Sequence, residues 1–229
     1  MPFLIYDYKT FLIGALALLF VFRALRAAIY KEINIPRELV IIALALFVAF
    51  LSTQTFENYA IRIDGFAPRY NLTLFKTIRK LLEKGLGYSG SETYHLHISI
   101  IYINLLGNLL IFAPIGFLSA FLFKQPRWHK SLLAGLALSF TIEIVQLFLI
   151  LRSFDVDDLL LNSLGTLIGF LFFALITLIP PIKRLADKTS SSDRPHGVVW
   201  AAVYIAMTIA WALAIFLHQH RIAINTPWG

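Results

Sequence analysis

Residues 102–169 read YINLLGNLLIFAPIGFLSAFLFKQPRWHKSLLAGLALSFTIEIVQLFLILRSFDVDDLLLNSLGTLIG. Three apolar runs share this stretch, and each carries polar or small residues at helical spacing. Asn104 and Asn108 are four apart in the first run, and Glu143 and Gln146 three apart in the second. Asp158, Asn162, Gly165 and Gly169 form a stripe along the third. Steps of three and four place each set on one face of a helix. Between the second and third runs, Arg152, Asp155, Asp157 and Asp158 concentrate charge in otherwise greasy sequence.

The rest of the chain explains the setting. Of 229 residues, 59% are hydrophobic and only 14% charged, with a mean hydropathy of +0.75. Such a composition lies outside the soluble range. The expected fold class is all-α: a polytopic transmembrane helical bundle of about six spans, forming a single membrane domain over residues 1–229. There is no cysteine, which excludes disulfides and thiolate chemistry. The net charge of +7 points to basic loops on the cytoplasmic side rather than to a nucleic-acid partner.

Taken in order, the spans are expected at about 8–29, 37–56, 98–123, 131–151, 158–179 and 198–217. The first is too long, and too poor in preceding charge, for a cleaved signal peptide. Pro36 suits the first turn of the second helix, and Pro114 is expected to kink the third. Residues 180–181, a Pro pair, are read as stopping the fifth span ahead of a polar, basic loop over 183–196. Within the long connection 57–97, residues 71–84 (NLTLFKTIRKLLEK) are too short to cross a bilayer, which needs roughly 20 residues. Leu74, Phe75, Ile78, Leu81 and Leu82 share one face, as expected of an amphipathic helix lying in the interface.

Lys and Arg in the short loops set the orientation. Eleven fall on the side of the first, third and fifth loops and three on the other, leaving aside the long 57–97 connection. The richer side should be cytoplasmic and both termini outside. Asn104 then lies about 9 Å below the outer surface along its helix, and Glu143 about 12 Å below. The unusual polar residues therefore converge in the outer half of the membrane.

A carboxylate at depth costs roughly 2.5–3.5 kcal/mol on insertion scales, so Glu143 must face protein or water. Two states are open: paired with Arg152, whose guanidinium matches a carboxylate fork, or protonated and hydrogen-bonded to Asn108 or Gln146. Reaching Glu143 requires the Arg152–Asp158 loop to dip back into the bundle. The same polar groups also have a plainer reading as glue between helices, and the small faces of Gly165, Gly169, Gly135 and Ser139 read as packing. Asp155 is a candidate cap for the fifth span. The three Asp side chains and the pair His95 and His97 are too weak a pattern to expect a metal or other cofactor.

At these residues the chain resembles the VanZ-like family of bacterial membrane proteins. The matching series is Asn104, Asn108, then Phe112-x-Pro114-x-Gly116, Glu143-x-x-Gln146, and Arg152-x-x-Asp155-x-x-Asp158-x-x-x-Asn162-x-x-Gly165. Upstream, 69–78 is similar to a further family segment, with Leu74 where proline is usual. The resemblance spans about 40–175. It implies a multi-pass protein of the bacterial plasma membrane; the founding member is associated with resistance to teicoplanin, an acylated glycopeptide antibiotic. Two functions follow as expectations. One is a binding module for membrane lipids, a lipid-linked envelope precursor or a lipoglycopeptide antibiotic, using Asn104, Asn108, Gln146, Arg152, Asp155, Asp158 and Asn162. The alternative is an enzyme modifying an envelope lipid, with Glu143 as general acid and base. A transporter is disfavoured because the polar residues occupy one half of the membrane only.

Overall fold

The computed structural model describes residues 8–31, 33–56, 69–76, 79, 105–124, 127–147 and 152–190. Its helices are α1 (Tyr8–Tyr30), α2 (Ile35–Phe56), α3 (Ala113–Leu122), α4 (Trp128–Leu147), α5 (Val156–Ile176) and α6 (Pro180–Ser190). Residues 105–111 are also helical and lead through a turn at Phe112 into α3. Among the described residues, five segments are long and apolar enough to cross a membrane: Leu12–Ile29, Ile35–Thr55, Leu105–Leu122, Trp128–Leu147 and Val156–Ile176. The bundle is all-α and polytopic, as expected. The sixth span expected at 198–217 lies outside the described residues.

Local sequence explains the element ends. Asn34 Oδ1 accepts the Arg37 N–H at 3.2 Å, ahead of Pro36 in the first turn of α2. Pro114 has no N–H to give the helical ladder. The chain adjusts at Phe112, whose carbonyl accepts from both Ile115 and Gly116. The regular helix is therefore interrupted by a turn at Phe112, two residues before the proline.

Packing between spans is closest where glycines meet backbone. A Cβ on Gly165 would overlap the Leu109 carbonyl, one on Gly169 the Ala113 carbonyl, and one on Gly116 the Thr166 carbonyl. The stripe on α5 and Gly116 on α3 thus bring two helix backbones into direct contact. Gly135 on α4 receives the Thr166 side chain in the same layer. Two apolar clusters flank this seam. Leu51, Phe112, Ile115 and Ile142 fill one half, and Ala120, Phe121, Phe173 and Ala186 the other.

Two expectations are corrected. The stretch after the Pro pair is a helix, not a loop. Proline is at home in a first turn because its missing N–H would have no partner there. α6 is held end-on against the bundle: Asn34 Nδ2 donates to Lys188 O at 2.8 Å, and Arg37 Nη1 to Leu122 O and Thr189 O at 3.0 Å each. Arg127 is 6% exposed; it donates to Phe123 O (2.9 Å), Asp187 Oδ1 (2.9 Å) and Ser190 Oγ (3.1 Å), and lies over the Phe173 ring. Arg127→Ala is expected to lower stability by about 2–3 kcal/mol through lost charge-assisted bonds. Asp187→Asn should cost under about 1 kcal/mol, because Asp187 is largely solvated. Thermal unfolding in detergent checks both, and equal losses would contradict the assignment.

The second correction concerns the interfacial helix expected over 71–84. Its first residue belongs to a strand, β1 (Tyr70–Asn71), which pairs in parallel with β2 (Phe154–Asp155), Asn71 opposite Asp155. Phe154 N–H donates to Arg69 O at 3.0 Å. Asn71 is drawn out of any helix because its side chain and backbone both serve β2. Helical residues appear at Lys76 and Arg79, and Arg79 N–H donates to Phe75 O. Leu74 and Phe75 are exposed on the protein, as an apolar face toward lipid requires. The remainder of the expected helix, at 77, 78 and 80–84, lies outside the described residues.

Candidate functional site

The antiparallel spans bring four helix ends together. The C-terminal turns of α2 and α4, the start of α5 and the helical lead-in 105–111 surround one cavity of about 310 Å³. Apolar walls come from Leu51, Ile111, Phe112 and Ile142. The polar lining comes from Asn108, Glu143, Gln146, Arg152, Asp155, Asp158 and Asn162. Seven of the eight expected site residues therefore meet. The eighth, Asn104, lies outside the described residues, as do His95 and His97.

Each polar side chain is placed by a recognisable local cause. Glu143 is 1% exposed on α4, and its Oε2 accepts the Asp155 N–H at 2.8 Å. The loop after α4 therefore turns back into the bundle, since only then does the Asp155 backbone reach that depth. Asp155 caps α5: its Oδ1 accepts the Asp157 N–H at 2.9 Å, at the positive end of the helix. The same oxygen accepts from Asn71 Nδ2 at 3.0 Å. One turn further, Asp158 Oδ1 accepts from Asn108 Nδ2 at 2.6 Å. Arg152 joins this lining, with its Nε buried. Gln146, 6% exposed, lies one turn beyond Glu143 on the same face.

Asn162 lies deeper. It is 5% exposed and donates from Nδ2 to Ser139 Oγ on α4 at 2.9 Å. Among the described residues, nothing hydrogen-bonds its buried Oδ1. Buried carbonyl oxygens are rarely left so, because each one costs the desolvation of a polar atom. Ser139 and Gly135 behave as packing residues, while Asn162 both joins helices and faces the cavity.

Sequence reasoning missed three contributors. Gln54 and Thr55 of α2 line the cavity. Their signal was the run Ser52-Thr53-Gln54-Thr55, which reads as the ordinary polar end of a span. Asp157, 1% exposed, accepts the Phe75 N–H at 2.5 Å and so fastens the segment after β1 over the start of α5. Phe75 takes a positive φ of 61° there, a conformation non-glycine residues rarely adopt.

Chemically, the site offers a guanidinium for an anion and several acceptors for N–H or O–H groups. Among the described residues, no three His, Cys, Asp or Glu converge closely enough to hold a metal ion.

Comparison with known proteins agrees with the motif series. A family model described as VanZ/LLP1 matches residues 39–177, the stretch that holds all the described lining residues of the cavity. No curated protein and no solved structure matches the chain.

Proposed function

Because the chain belongs to the VanZ/LLP1 family, and its polar residues enclose one cavity, we propose that it binds a lipid-bearing cell-envelope molecule there. Either a lipid-linked envelope precursor or an acylated glycopeptide antibiotic has the required form, a polar head carried on apolar chains. The observation that supports this reading is the pairing of a mixed polar cavity with apolar walls inside a membrane bundle. Arg152 supplies the group suited to a phosphate or carboxylate. A role in glycopeptide resistance belongs to the same proposal.

The test is mass spectrometry of lipids co-purified with the wild type and with Arg152→Lys. The variant keeps the charge but loses the planar fork. A lipid species present with the wild type and at least tenfold depleted with the variant supports binding. Identical lipid profiles would sink it.

The proposed setting is the plasma membrane, with the cavity in the outer half and both termini outside. Lys183, exposed on α6, lies at the opposite end of the bundle from the cavity. A single cysteine placed there should react with membrane-permeant reagents only. Reaction with an impermeant reagent added outside intact cells would reverse the orientation.

One feature favours an enzymatic alternative: the Glu143 carboxylate, almost wholly buried, lines the cavity where a headgroup would sit. Glu143→Gln separates the two readings. A binder still co-purifies lipid, if in smaller amount, whereas general acid and base catalysis is lost outright.

A further inference from the structure

The cavity lining is unbalanced, and the imbalance specifies a partner. Three carboxylates, on Glu143, Asp155 and Asp158, share the space with one guanidinium, on Arg152. Asn162 adds a buried carbonyl oxygen with no donor of its own. Its amide nitrogen is already engaged by Ser139, and an Asn108 N–H is engaged by Asp158. Carboxyl groups thus outnumber the guanidinium three to one among the described lining residues, and one buried acceptor is left for a ligand donor.

On the reading of the cavity as a headgroup site, we infer that the headgroup is zwitterionic, with a primary ammonium beside a phosphate, as in a phosphoethanolamine lipid. An ammonium has three N–H donors, no acceptor and a positive charge. It suits a lining that holds several carboxyl groups and supplies the donor that Asn162 Oδ1 lacks. The adjoining phosphate meets Arg152, whose fork suits phosphate oxygens. A headgroup bearing only hydroxyls supplies donors but no positive charge to set beside Asp155 and Asp158. A trimethylated ammonium has the charge but no N–H for Asn162. The apolar side of the cavity, at Leu51, Ile111 and Ile142, provides the continuation toward acyl chains.

The test is titration of the full-length protein in detergent with dihexanoyl phosphatidylethanolamine, phosphatidylcholine and phosphatidylglycerol, read by native mass spectrometry. Phosphatidylethanolamine is expected to bind at least tenfold more tightly than either of the others. Asn162→Leu removes the orphaned oxygen at similar volume; it should narrow the ethanolamine–choline gap to threefold or less. If that variant fails to fold, the wild-type series still decides. Equal binding of the ethanolamine and choline lipids, or tighter binding of the glycerol lipid, overturns the ammonium assignment. If Arg152→Lys then weakens all three, the headgroup site itself still stands. If none of the three binds and Arg152→Lys changes nothing, both readings fail.

Discussion

Gly169→Ala is expected to destabilise the protein by about 3 kcal/mol, the upper end for overpacking a close-packed interior. The added methyl would overlap the Ala113 carbonyl oxygen, with the Ala113 carbon at 2.6 Å and the Phe117 nitrogen at 2.9 Å. All three atoms belong to the α3 backbone, so no side-chain rotation relieves the clash. The two helices would have to separate, and Gly165 and Gly116 would lose their contacts in the same movement. Gly107 provides the contrast, since a Cβ there meets nothing within 4 Å. Gly107→Ala should be neutral or stabilising by up to about 1 kcal/mol, alanine being the better helix former. Thermal unfolding of the two detergent-solubilised variants checks this; a Gly169→Ala protein melting with the wild type would refute the close α3–α5 approach.

Arg152→Ala carries the second large effect. It leaves Glu143, Asp155 and Asp158 around a cavity that has lost the one cation among its described lining residues. Taking away one side of a buried charge cluster costs about 3–5 kcal/mol, mostly through the charges left behind. Arg152→Lys should recover most of that stability, because the charge returns. On the proposed reading it should not recover lipid binding, because an ammonium offers a point charge where a guanidinium offers a planar fork. Unfolding measured beside lipid retention separates the two roles. Equal stability of all three proteins would mean that Arg152 is solvated and outside the site.

Much of this site was legible because membrane sequence is simple. Against an apolar background, Asn108, Glu143, Asp158 and Asn162 are conspicuous, and helical spacing assigns their faces. Alternating span directions then place their ends on one side of the bundle. What escaped has physical reasons. Gln54 and Thr55 occupy the end of α2, where polar residues are the rule and carry little information. Asn71 pairs with Asp155 across 84 residues, a contact that no local periodicity encodes. The amphipathic pattern of 71–84 favoured a helix from its first residue, and the non-local bonds to β2 override that start. At α6, the Pro pair reads as a stop in the sequence, although proline opens a helix as readily as it ends one.

The Asn71–Asp155 clasp has a consequence for biogenesis. Contacts so distant along the chain carry a loop-closure cost and form after local ones. The helices of the 105–176 region can therefore pack locally before β1 and β2 close on one another. Until then, Asp155 and Asp157 lack the Asn71 and Phe75 donors that later hold them. The newly inserted protein would pass through a stage with its acidic cluster open to water. Closing that clasp is the step that turns a packed set of spans into a finished receptacle.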